Sequence, residues 1–182
     1  EIANEANISY DHAILQASNV STLVTRARNR ALGYGITLST SVSMGGNVLP
    51  TSNMVTASSY ILLHGNNTTL SQAQSLVNNV RAMSAYAANP KPILFNEDPV
   101  GSVETDNQAG INARFLGLVD GHGVGWGYMP EPRDNDYVSG YQTLPVNWGW
   151  NSAINKQRFF ERAQSYFINS GLPTAPSDLN VQ

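Results

Sequence analysis

Several residue types and patterns are missing from this sequence, and each absence excludes a class of protein. No cysteine occurs among the 182 residues, which excludes disulfides, thiol chemistry and cysteine-based metal sites. Only 13% of the residues are charged, the formal net charge is -3, and no basic run is present. Nucleic acid is therefore not an expected partner, because phosphate binding depends on clustered Lys and Arg.

Long apolar runs and phosphate-binding loops are also missing. No run approaches the roughly 20 apolar residues of a membrane helix, so no contact with a membrane is expected. Neither of the glycine-rich nucleotide motifs, G-x-G-x-x-G and G-x-x-x-x-G-K, occurs, and no cofactor is predicted.

The composition that remains is that of a single globular domain. A hydrophobic content of 41% over 182 residues is sufficient for one core, and we treat residues 1–182 as one domain. The first residue is not Met and already belongs to a strand-like run, which predicts a fragment or a processed chain. No signal peptide is visible.

Strand-like and helix-like segments alternate along the chain. Regular alternation of this kind predicts an α/β fold of parallel βα units with right-handed crossovers. It does not distinguish an open doubly wound sheet from part of a closed barrel. The predicted strands are Glu1–Glu5, Gly35–Val42, Tyr60–His64, Pro92–Glu97 and Val124–Met129, and the predicted helices are 12–32, 52–57, 69–88, 105–120 and 152–169.

Two of the predicted strands end in the same dipeptide, Asn-Glu, at Glu5 and Glu97. The carboxyl ends of parallel strands share one edge of a sheet, and a pair of carboxylates there can act as proton donor and nucleophile. The spacing alone leaves a second interpretation equally open, in which both are exposed acids at the edges of loops.

The identity of the first five residues gives information that the spacing of the two glutamates does not. The run Glu1-Ile2-Ala3-Asn4-Glu5 resembles the fourth-strand motif of clan A glycoside hydrolases, especially the cellulase-like family five. Counting from it, Pro92–Glu97 is the seventh strand, where that clan carries its second Glu. The resemblance implies parallel (β/α) units forming strands four to eight of a TIM barrel, with strands one to three absent from this chain.

The resemblance also implies a role for each residue at the strand ends. Glu5 would be the acid/base, Glu97 the nucleophile, Asn4 a partner of the sugar 2-hydroxyl and Trp126 a stacking floor. Retention of configuration would follow, with carboxyl groups about 5 to 5.5 Å apart. His64 either contacts substrate or orients Glu97, and a His bonded only to a backbone carbonyl is an equal alternative.

Aromatic residues after the last predicted strand supply further candidates. Tyr128 and Trp148 are expected to stack on sugar rings, although packing of the long loop onto the barrel explains such rings equally well. Glu1 shares the strand parity of Glu5, and we expect it to be buried as a structural carboxylate.

No metal site is predicted. Glu97 and Asp98 are neighbours on a strand and should point to opposite faces, so they would not converge on one ion with His64.

Two positions depart from the family pattern. Ala6 stands where the cellulase-like family commonly has Pro, and the second Glu lies in Asn96-Glu97-Asp98 rather than among glycines. These departures concern the subfamily more than the clan.

Taken together, the residues and the resemblance predict a retaining glycoside hydrolase that acts on a β-linked poly- or oligosaccharide. The alternative is a non-catalytic carbohydrate-binding or scaffold protein with a glycosidase-like barrel. The expected partners are the carbohydrate and an amino-terminal fragment or second chain that completes the barrel. The expected location is extracellular or periplasmic.

Overall fold

Three parallel strands form the centre of the fold. The computed structural model describes residues 1–7, 12–37, 39–98, 108–128 and 164–165. The strands are β1 (Ile61–His64), β2 (Ile93–Asp98) and β3 (Gly125–Tyr128), and they lie in the sheet in the order β1-β2-β3. The predicted class, a mixed α/β fold with a parallel sheet, is confirmed.

The first two strands form where the sequence carries short apolar runs. All four residues of β1 are buried, as expected for a strand covered on both faces. Ile61 pairs with Ile93 and Leu94 with Gly125, so β2 is the middle strand.

Two extended segments continue this arrangement ahead of β1. Residues 1–6 run beside residues 41–43 in the same direction, with backbone hydrogen bonds from Ile2 N–H to the Ser41 oxygen (2.8 Å) and from Ala6 N–H to the Ser43 oxygen (2.9 Å). The second segment meets the start of β1 through the bond from Ser59 N–H to the Thr40 oxygen (2.8 Å). The five extended segments of the described residues therefore lie side by side in chain order.

The first two of these segments are not regular strands, which differs from the prediction. Glu5 adopts a positive φ of 50°, and this breaks the extended backbone at the end of the first segment. The predicted strand from Gly35 also begins too early. Residues 35–37 are exposed, and the buried extended part is 40–44.

The predicted first helix is shorter than its apolar pattern suggested. A 3₁₀ turn occupies Ala13–Leu15, and helix α1 runs only from Val20 to Leu32, with Asn19 at its N-cap position and Gly33 after its end. The Asn19 side chain bonds the Ala13 oxygen instead of capping the helix. Helix α2 (Ser52–Ala57) lies where it was predicted.

The helix between β1 and β2 is split in two. Helix α3 (Leu70–Ala82) begins at a capping box in which the Thr69 and Gln72 side chains bond each other's backbone N–H. It ends at Met83, whose ψ of 132° is extended, and a short helix α4 (Ser84–Ala87) follows.

The last described helix crosses from β2 to β3. Helix α5 (Gln108–Phe115) continues as a π-helical turn, Leu116–Asp120, before β3 begins. The final predicted helix, 152–169, falls outside the described residues except for 164–165, which are helical.

The described core has two parts. The larger cluster lies between the sheet and helices α3 and α5 and contains Leu63, Phe95, Ile111 and Trp126. The smaller one packs α1 and α2 against the two extended segments, around Val20 and Val24. Within the described chain, no helix has the length and apolar character of a membrane span.

Candidate active site

Two glutamates and a histidine meet at the carboxyl edge of the sheet. One carboxylate oxygen of Glu5, one of Glu97 and a ring nitrogen of His64 lie within 4.8 Å of one another. His64 Nδ1 is 2.9 Å from Glu5 Oε1, a hydrogen bond, and 3.4 Å from Glu97 Oε2. The structure therefore brings together the two predicted carboxylates, with an imidazole between them.

These three side chains differ in their access to solvent. The His64 side chain is fully buried, whereas those of Glu5 and Glu97 are 21% and 19% exposed. A molecule approaching this edge can therefore reach both carboxylates without displacing the imidazole.

An irregularity in β2 directs Glu97 toward His64. Phe95 pairs with Trp126 and Asp98 with Tyr128, so two residues of β2, Asn96 and Glu97, face one residue of β3. This extra residue is a bulge, which changes the face to which the following side chains point. Bulges next to functional sites are common because they redirect a side chain.

Glu5 is held in its unusual conformation by Ser43 and Gly45. Its backbone N–H donates to Ser43 Oγ at 3.0 Å, and the next N–H, of Ala6, donates to the Ser43 carbonyl. Ser43 is itself fully buried. A Cβ added at Gly45 would lie 2.8 Å from both Cδ and Oε1 of Glu5, so only glycine leaves room for this carboxylate.

Glu97 has a second polar neighbour, Asn66. The Asn66 side-chain N–H donates to Glu97 Oε2 at 3.2 Å, and Gly65 N–H donates to the Glu97 backbone oxygen at 2.8 Å. The loop after β1 therefore contacts both the carboxylate and the main chain of Glu97.

Glu1 lies on the surface rather than in the core, which contradicts the prediction for it. Its carboxylate accepts from Ser43 Oγ and from the Asn96 side-chain N–H, at 2.5 and 3.3 Å. It therefore links the first extended segment to β2 at the surface. The expected burial assumed a regular strand whose parity points Glu1 into the interior of a closed barrel.

Of the predicted substrate-binding residues Asn4, Tyr128 and Trp148, only Asn4 has a described side chain. Asn4 is exposed beside Ser43, with its Oδ1 3.3 Å from Ser43 Oγ, at the same edge as Glu5. Tyr128 is the last residue of β3, but its side chain lies outside the described part of the chain, as does Trp148.

Trp126 does not form an open floor, which differs from its predicted placement. Its side chain is only 8% exposed and packs edge-to-face on Phe115, with 5.7 Å between ring centroids. The physical reason is strand parity, because Trp126 lies opposite Phe95 and shares its helix-facing side. Its indole N–H donates to Asp98.

The cluster of Glu5, His64 and Glu97 also contains atom types that bind transition metals. A histidine that ligates a metal almost always donates its other ring N–H to a neighbour. The Nε2 atom of His64 is buried without a hydrogen-bond partner in the described part of the molecule. The cluster therefore lacks, among the described residues, the second histidine hydrogen bond that metal sites usually have. Asp98 points away from it, as predicted.

Sequence reasoning missed three residues that contact the glutamates: Ser43, Gly45 and Asn66. A signal for each was present, since Ser43 and Gly45 follow the second predicted strand and Asn66 follows the third. Polar residues and glycines at strand ends are candidates for this edge of a parallel sheet.

Comparisons of the chain with known protein families, with curated proteins and with solved structures found no match. Any function must therefore be argued from the site itself.

Proposed function

We propose that this chain carries the catalytic carboxylates of a retaining glycoside hydrolase that acts on a β-linked poly- or oligosaccharide. The observation that carries the proposal is the approach of Glu5 and Glu97, which each place a carboxylate oxygen in a cluster whose atoms lie within 4.8 Å of one another. Retaining glycosidases place two carboxyl groups about 5 to 5.5 Å apart, whereas inverting enzymes leave about 6.5 to 9.5 Å for a water molecule.

The resemblance of Asn4-Glu5 to the acid/base motif assigns the two roles. Protonated Glu5 donates to the glycosidic oxygen while a Glu97 oxygen attacks the anomeric carbon and forms a glycosyl ester. Glu5, now a carboxylate, then takes a proton from water, which attacks the same carbon and releases Glu97. Glu5 therefore gives up its proton in the first step and regains one from water in the second.

His64 contributes to this exchange through its hydrogen bond to Glu5. The bond from Nδ1 is 2.9 Å long and the imidazole is fully buried, so the ring holds one oxygen of Glu5 in a fixed direction. We assign His64 the role of holding Glu5 in one orientation while the charge of Glu5 changes. Asn66 holds Glu97 in the same way, through the hydrogen bond that its side-chain N–H donates.

We further propose that the chain forms strands four to eight of a TIM barrel. The support is that the five extended segments lie in chain order, as in a singly wound barrel, and that the chemistry gathers at the carboxyl edge. The other strands would come from an amino-terminal segment or a second chain. Intact mass and light scattering of the purified protein test this, and an active monomer of 19.7 kDa would contradict it.

The test of the proposed activity uses the protein carrying this sequence and a panel of aryl β-glycosides. We expect Glu97→Gln to lose hydrolysis by about 10⁴-fold or more while the variant still folds and binds oligosaccharide, because only the nucleophile is removed. The matched control is Asp120→Asn, which changes an exposed carboxylate at the end of the helix that precedes β3, at the opposite edge of the sheet from Glu97. Hydrolysis that survives in Glu97→Gln would refute the assignment, and binding without turnover by the wild type would favour the carbohydrate-binding alternative.

A further inference from the structure

Directly behind Glu97 lies a buried charge pair that the proposed chemistry does not use. Asp98, the next residue, is fully buried, and Arg114 of α5 is 1% exposed. The guanidinium donates to both carboxylate oxygens of Asp98, from Nε to Oδ2 at 2.7 Å and from Nη2 to Oδ1 at 2.6 Å. Such a bidentate pair fixes the orientation of both groups.

The same arginine holds the loop that carries Asn66. Arg114 donates to the Thr68 carbonyl oxygen and to Thr68 Oγ1, both at 2.8 Å, and to the Gly65 oxygen at 3.2 Å. Thr68 Oγ1 in turn donates to the Gly65 oxygen. Four residues of loop 65–68 are thus fixed at both ends by one guanidinium.

Loop 65–68 packs so closely on Asp98 and Arg114 that there is no space for a side chain at Gly65. A Cβ at Gly65 would lie 1.5 Å from Asp98 Oδ1 and 2.9 Å from Arg114 Nη2. Any other residue at this position would push the loop away from β2. Gly65 N–H also donates to the Glu97 carbonyl, so the displacement would reach Glu97 directly.

We propose that the Asp98–Arg114 pair is a positioning device that sets the orientation of Glu97 and keeps Asn66 on its carboxylate. The inference rests on the proposed function, since it assigns a purpose to the orientation of Glu97. The two residues are positioning residues, because neither reaches the exposed edge.

The physical argument is that a buried ion pair is a poor means of stabilising a core. Apolar side chains of similar volume often serve stability equally well, whereas a paired charge fixes geometry. Here Arg114 connects Asp98, the residue after Glu97 in β2, to loop 65–68, whose Asn66 contacts the Glu97 carboxylate.

The test separates position from stability by removing both charges together. In Asp98→Asn/Arg114→Met the new amide oxygen can still accept from the Trp126 indole, and no unpaired charge remains buried. We expect cooperative melting and an unchanged KM, with kcat reduced by about 100-fold because the nucleophile is no longer held in place. A folded double variant with the kcat of the wild type would overturn the proposal.

A milder variant covers the case in which the double variant fails to fold. Thr68→Val keeps the shape of the side chain and the charge pair but removes the hydroxyl that links Arg114 to the Gly65 oxygen. We expect kcat to fall about tenfold at constant KM, and a wild-type kcat would overturn the proposal. Arg81→Lys is the control, because Arg81 is an exposed arginine that bonds the His122 oxygen, away from the site.

A second measurement distinguishes failure of this proposal from failure of the proposed function. The side-chain amide resonances of Asn66 report its bond to Glu97 whether or not the protein hydrolyses a glycoside. We expect them to shift in Thr68→Val and in the double variant but not in Arg81→Lys. Unshifted Asn66 signals in the folded variants would overturn the positioning role even if the wild type is active. Shifted signals with an inactive wild type would support that role and refute only the glycosidase.

Discussion

Substitutions at two neighbouring glycines, Gly45 and Gly46, distinguish an effect on the geometry of the site from an effect on the stability of the fold. Substituting Gly45 by Ala places a Cβ 2.8 Å from Cδ and Oε1 of Glu5 and 3.2 Å from its Cγ. Since ordinary contacts of a Cβ are about 3.4 to 4 Å, the carboxylate must move by roughly 0.6 to 1.2 Å. That movement breaks the 2.9 Å bond to His64.

The expected consequence is a loss of activity with little loss of stability. A displacement of about 1 Å in a catalytic group costs about 10²-fold in rate. The clashing atoms belong to the end of a partly exposed side chain that can turn away, so we expect the free energy of unfolding to change by less than about 1 kcal/mol.

Gly46→Ala is the matched control, because an added Cβ meets no side chain there but the backbone conformation disfavours any residue other than glycine. Nothing lies within 4 Å of the added Cβ, but Gly46 has a φ of +65°. A non-glycine residue in this region costs about 1 to 2 kcal/mol, so this variant should lose stability and keep its kcat. Urea unfolding and hydrolysis of an aryl β-glycoside measure the two effects. Wild-type kcat in Gly45→Ala, or equal loss of kcat in both variants, would refute the steric argument.

Three further substitutions test separate parts of the account. Ser43→Ala leaves the backbone N–H of Glu5 without its acceptor, so we expect the unfolding free energy to fall by about 1 to 3 kcal/mol and kcat to fall with it. Urea unfolding and kinetics measure the two effects, and unchanged values would remove this serine from the site. Thr69→Ala removes a capping box and should lower the unfolding free energy by about 1 kcal/mol without changing kcat, and a change in kcat would contradict the assignment of Thr69 to the helix alone. Burial, and after it the charge of Arg28, lower the pKa of Lys91 below 10.5. Between the folded-state pKa and 10.5 the unfolded chain binds more protons, so the free energy of unfolding rises with pH, and this increment is lost as the pH falls through the folded-state pKa. Arg28→Gln should raise the pKa of Lys91 in an NMR titration, and an unshifted titration would exclude the charge effect.

The sequence was sufficient for the elements whose pattern is local. The apolar run at Ile61–His64 specifies a strand that is buried on both faces, and the run from Ile93 specifies a strand in which Ile93 and Phe95 are buried and Leu94 is partly exposed. The helix predicted from residue 69 begins directly after an N-cap at Thr69. The meeting of Glu5 and Glu97 followed from one rule, that the carboxyl ends of parallel strands share an edge.

What the sequence did not reveal depends on contacts between distant segments. The bulge at Asn96 decides which face Glu97 takes, and strand alternation alone cannot show an extra residue. Trp126 was expected in the site from the family resemblance, but its parity with Phe95 places it in the core. The positive φ of Glu5 depends on Ser43, 38 positions away, so no local pattern could indicate it.

The break between α3 and α4 has no equally clear cause. Met83 takes an extended ψ of 132° in a run that is otherwise suited to a helix. The residues around it contain neither Pro nor Gly, and the structure offers no physical explanation for this break.

The proposed mechanism requires a covalent bond between Glu97 and the sugar, and this bond can be trapped. A 2-deoxy-2-fluoro aryl β-glycoside forms the glycosyl ester but slows its hydrolysis, so the ester can be located by mass spectrometry of the digested protein. The account predicts one added fluoroglycosyl group on the peptide that contains Glu97, and none in Glu97→Gln. Labelling of Glu5, or hydrolysis with inversion and no adduct, would contradict it.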